Sequence, residues 1–92
     1  MSIYIITIKW DPERVAETTL LENLLNANFK WVKLTEESFL ITSENTSVEI
    51  RNFITSKLVN LSRIFIGEMK ESAAWRNMID DSDKIKQIFN NE

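Results

Sequence analysis

The sequence predicts one α+β domain whose elements run strand, helix, strand, strand, helix, strand. Three observations carry this. Runs of β-branched and aromatic residues open the chain, recur twice before its midpoint and return near residue 65. Two stretches of helical apolar spacing, each behind a capping signal, separate those runs. A chain of 92 residues, 43% hydrophobic and 27% charged, supplies one core and not two. With one Gly and one Pro there is no composition for a disordered linker.

Ile3-Tyr4-Ile5-Ile6-Thr7-Ile8-Lys9-Trp10 is apolar on both parities, as a central strand covered on both faces would be. Asp11-Pro12-Glu13 then offers an N-cap acceptor, a proline for the first helical position and an acid for the first turn. The first helix is accordingly expected from Pro12 to Asn26, with Val15, Leu21 and Leu25 on its apolar stripe, Leu20 and Leu24 widening it, and Glu13, Glu17 and Asn23 turned away. Phe29 to Leu34 and Ser38 to Thr42 read as the second and third strands, joined through Thr35-Glu36-Glu37.

Thr46-Ser47-Val48-Glu49 matches a capping box, so a second helix starts there, with Val48, Ile50, Phe53, Ile54, Leu58 and Val59 apolar and Asn60 as its stop. Arg63 to Glu68 is the fourth strand. Residues 1–68 thus form a ferredoxin-like βαββαβ core, a four-stranded antiparallel sheet with two helices on one face. Residues 69–92 form a C-terminal arm of the same domain, ending in a short helix built on Ile85, Ile88 and Phe89 behind the caps Asp81 and Ser82.

Alternation along the first strand sends Tyr4, Ile6 and Ile8 to the helices and Ile3 and Ile5 to the opposite face, where Phe29 or Trp31, Leu40 and Phe65 are expected to join them. A second apolar face on so small a domain calls for a partner, or for the arm folding over it. Ile3, Ile5, Trp31, Leu40 and Phe65 are therefore the candidate dimer interface.

Composition narrows the chemistry. Without Cys there is no disulfide, thiolate metal site or cysteine nucleophile, and without His the commonest general base is missing. No catalytic residue, metal ligand set or cofactor site is assigned; Tyr4 and Ser38 lack a histidine to activate them. Asp80-Asp81-Ser82-Asp83 lacks the glycine and later glutamate of a calcium loop. The opening residues lack a basic, cleavable leader and no apolar run approaches a membrane span, so a cytoplasmic protein without a membrane partner is expected. A net charge of −3 disfavours a surface wholly given to nucleic acid.

Tyr4-Ile5-Ile6-Thr7-Ile8, Glu37-Ser38-Phe39-Leu40-Ile41-Thr42 and Val48-Glu49-Ile50-Arg51 resemble, in turn, the first strand, third-strand signature and second-helix opening of the small ferredoxin-like proteins of the CRISPR spacer-acquisition family, and particularly their SinR-like relatives. The resemblance implies a homodimer whose sheets face one another, with a segment after strand four pairing across the interface. It also implies an Asp at the end of strand one as a metal ligand in nuclease-type members; Lys9 stands at that position here, and a lysine repels a hard cation.

The remaining candidates are for partner binding. Lys30, Trp31 and Lys33 interleave cations with an aromatic ring, a pattern that also suits a solvated edge strand. Arg51 and Arg63 are candidate phosphate contacts, and Trp75 and Arg76 candidate protein contacts. The leading expectation is a non-catalytic homodimeric scaffold binding a protein or duplex nucleic acid. A small acidic inhibitor of the anti-defence type carried by mobile elements, and a metal-dependent endonuclease using Asp11, are the alternatives.

Overall fold

Both-parity apolarity puts the first strand in the middle of the sheet. In the computed structural model, which describes residues 1–70, 76 and 78–90, β1 (Ser2–Trp10) pairs antiparallel with β3 (Ser38–Ser43) on one side and β4 (Leu61–Met69) on the other. β2 (Lys30–Thr35) pairs with the far side of β3, giving the order β2-β3-β1-β4. With α1 (Thr18–Asn28), α2 (Ser47–Lys57) and α3 (Ser82–Asn90), this is an α+β fold compatible with the ferredoxin-like arrangement.

Two cores lie on the two faces of the sheet. Tyr4, Ile6, Ile8 and Trp10 of β1, with Phe39 and Ile41 of β3, pack against Leu21 and Leu25 of α1 and against Ile50, Ile54 and Leu58 at the α2 end. On the other face Ile3, Val32 and Leu40 meet Ile85 and Ile88 of α3. Burying two isoleucines stabilises by about 1.5–3 kcal/mol each, enough to dock a nine-residue helix that would not hold alone.

Asp81 starts α3, its carboxylate accepting the Lys84 amide at 2.9 Å, and the capping box opens α2 as expected, Thr46 Oγ1 accepting the Glu49 amide at 3.2 Å while Glu49 accepts the Thr46 amide at 2.9 Å. Three expectations need correction. The first helix begins at Thr18, not Pro12, because the Asp11 carboxylate turns back onto the Glu13 amide (2.9 Å) and the Asp11 carbonyl accepts the Arg14 amide, making a tight turn. Val15 therefore falls outside the helix and is 81% exposed.

Val48 and Val59 are also exposed: the buried line of α2 is Ile50, Ile54 and Leu58 at spacings of four, and Val48 lies two residues off it. Third, Trp31 and Phe29 sit on the helix side of the sheet. Trp31 is the Cα partner of Ile41 and its ring lies 6.0 Å from that of Phe39.

Candidate interaction surface

The second sheet face is apolar at one end only. Along β1 its residues are Ile3, Ile5, Thr7 and Lys9, the first buried and the last two exposed. Their partners on β4 are Met69, Gly67, Phe65 and Arg63 in that order. Because α3 lies over β2 and β3, it closes the Ile3–Leu40 region and, among the described residues, nothing covers the β4 flank. Phe65 is 64% exposed there, its ring folded along the strand so that a Cβ on Gly67 would meet it at 3.0 Å.

Lys9 and Arg63 stand directly opposite each other beside Phe65, both exposed. Like charges at facing positions of an antiparallel pair repel, and neither cation has an ion pair among the described residues. The nearest acid along β4 is Glu68, which belongs to the helix-side parity and holds Lys70 at 2.9 Å. The Lys70 bond, seconded by one from Ser2, keeps the Glu68 carboxyl below the usual carboxylate range, and Glu68 in turn raises the Lys70 ammonium.

The two edges of the sheet differ. Along β2, Asp80 closes the backbone: its carboxylate accepts the Lys33 amide at 2.7 Å, its amide donates to the Lys33 carbonyl at 2.9 Å, and the Ile79 amide donates to the Leu34 carbonyl at 3.0 Å. Along β4, among the described residues, no segment pairs with the outer side. A groove of about 200 Å³ runs there between the strand and α2, lined by Ser47, Val48, Arg51, Ile64, Phe65 and Ile66. Val48 and Arg51 are both exposed above it.

Of the residues expected at an interface, Ile3 and Leu40 are buried beneath α3 of the same chain, Trp31 is on the other face, Ile5 is half-buried and Phe65 is exposed. Lys33 is committed to Glu22 at 2.7 Å, whereas Lys30, Arg51, Arg63 and Arg76 are exposed. Trp75 lies outside the described residues. Asp11 spends its carboxylate on the Glu13 amide and on Arg14 at 3.8 Å.

Sequence reasoning picked Phe65 and Arg63 separately but missed Lys9 as their neighbour and Val48 as the groove's far wall. Pairing the first and fourth strands by parity, with Lys9 and Arg63 on one face, carried the signal for the first of these. No helix among the described residues is long and apolar enough to cross a membrane. No protein-family model, no curated protein and no solved structure matches the chain.

Proposed function

We propose that the chain is an interaction subunit that acts by binding, joining another polypeptide along the β4 flank of its sheet. The supporting observation is the contrast between the edges: β2 is capped by Asp80, while β4 runs for nine residues beside an exposed Phe65 and a groove against α2. A long strand whose outer amides and carbonyls have no partner among the described residues is a template for strand addition, and folded proteins normally blunt such an edge unless it is used. The homodimer that the family resemblance implies is one form of this reading, the incoming strand then belonging to a second copy.

The test combines light scattering on the chain across concentrations with selection of binders from a displayed random-peptide library, each repeated on Phe65→Lys. That substitution adds a charge to an already exposed position and leaves the core untouched. The expected result is self-association or peptide capture that disappears in the variant while thermal unfolding is unchanged. Association indifferent to Phe65→Lys would overturn the reading.

A further inference from the structure

We infer that the cleft at the start of β2 binds an N-acylated aromatic amino acid, whose carboxylate and amide N–H dock on the backbone of Trp31. A cleft of about 400 Å³ opens there between the end of α1 and α3, with Lys30 and Trp31 of β2 in its lining. Its volume is in the range of small-molecule sites. It lies at the opposite edge of the sheet from β4, and the inference does not depend on the reading of that flank.

Strand alternation presents the docking groups. Lys33 turns its amide and carbonyl outward to Asp80. Residues two apart in a strand turn the same way, so the Trp31 amide and carbonyl also face outward, while Lys30 and Val32 make the ladder bonds to Thr42 and Leu40. Among the described residues no group pairs with the outward amide and carbonyl of Trp31. The segment that closes Leu34 and Lys33 turns away at Asp81, where α3 begins.

Asp80 shows what such a position takes. On Lys33 its amide donates to the strand carbonyl at 2.9 Å and its carboxylate accepts the strand amide at 2.7 Å, so one residue answers both groups. A carboxylate beside an amide N–H repeats that contact on Trp31, two residues along. The charges agree. Lys30 is exposed and has no acid partner among the described residues, and Lys84 stands 3.6 Å from an Asp80 carboxylate already shared with the Lys33 amide. Two cations and one acid leave the cleft positive, which attracts a carboxylate and disfavours a free α-ammonium, so the ligand nitrogen is acylated. A ligand residue facing Trp31 places its side chain on the same sheet face. Phe29 and the Trp31 ring, whose Nε1 donates to Asn26 Oδ1 at 3.5 Å, offer an aromatic seat there.

The probe is N-acetyl-L-phenylalanine at millimolar concentration, followed by amide NMR of the isotope-labelled chain, with N-acetyl-L-phenylalaninamide as the ligand that lacks the carboxylate. In the free chain the Trp31 amide is expected to exchange with solvent much faster than the Lys33 amide. The probe is expected to shift the Trp31 amide saturably and to slow its exchange. Loss of the ligand carboxylate and Lys30→Glu, a change at an exposed position, are each expected to weaken binding about fivefold, the scale of an exposed ion pair.

A peptide, acetyl-Gly-Ser-Gly-Phe with a free C-terminus, separates the two sources of this chemistry. Binding as tight as the probe's or tighter assigns the site to protein C-termini, weaker binding assigns it to free acylated amino acids, and both uphold the site. A Trp31 amide as protected as that of Lys33 in the free chain, or one that does not shift with the probe, overturns the inference. So does equal binding of the acid and its amide, or binding indifferent to Lys30→Glu. The proposed function is tested separately through Phe65, which has no part in this cleft.

Discussion

Asp80 grips Lys33 by the backbone from both sides, its carboxylate accepting the Lys33 amide at 2.7 Å and its own amide donating to the Lys33 carbonyl at 2.9 Å. The pair closes one edge of the sheet at a point 47 residues away in sequence. It also anchors the segment leading into α3, whose first turn carries Lys84 at 3.6 Å from the same carboxylate. An acidic side chain of the Asp80-Asp81-Ser82-Asp83 run, which sequence marks only as lacking a calcium loop's pattern, therefore serves as an edge cap.

Asp80→Ala is expected to destabilise the fold by about 1–2 kcal/mol, the range for a hydrogen bond to a charged acceptor less the gain of a solvated site. Asp80→Asn keeps the acceptor and should recover much of the loss. Urea unfolding of the three proteins measures both. A loss in Ala that Asn does not reduce would assign the effect to the exposed Lys84 pair instead.

The docking of α3 makes a second prediction. Ile88 is 1% exposed and seated on Val32 and Leu40, so Ile88→Ala should cost about 2–5 kcal/mol, as removing a buried aliphatic side chain does. Because the helix covers its own sheet, the unfolding midpoint of Phe65→Lys, in which the proposed β4 association is removed, should not depend on protein concentration. A midpoint that rises with concentration would mean that the covering helix comes from a second copy.

How far the sequence discloses these features depends on the range of the interactions. The capping box at Thr46, the buried line through Ile50 and Ile54, and both parities of β1 are local patterns, and the structure holds them as read. The coverage of Ile3 and Leu40 by α3 is not local, since the same amphipathic helix fits its own sheet or a neighbour's equally well. The β4 flank, uncovered among the described residues, is a difference between that coverage and the full width of the sheet, and no stretch of sequence contains it. Trp31 went to the wrong face because a strand's parity is only as good as its first paired residue, and β2 carries a register shift between Lys33 and Thr35.

The start of α1 shows the same limit and yields the sharpest test. Asp11-Pro12-Glu13 has every local mark of a helix start, yet residues 11–17 are held as a connection by Asn60. The Asn60 carbonyl accepts the Asp11 amide at 2.9 Å, its side chain donates to the Val15 carbonyl at 3.0 Å and accepts from Arg14 at 3.2 Å, and its amide donates to the Glu17 carboxylate at 2.8 Å. Were the helix to begin at Pro12, Glu17 would be a solvent-facing helical residue and Glu17→Ala would be neutral or slightly stabilising, alanine being the better helix former. With Glu17 bonded to the amide that leads into β4, the same substitution removes a charged acceptor from a part-buried donor and should cost about 1–2 kcal/mol, with Glu17→Gln in between. The sign of the change in urea midpoint for Glu17→Ala separates the two geometries: a loss fixes the Asn60 connection, and a gain would return the helix start to Pro12.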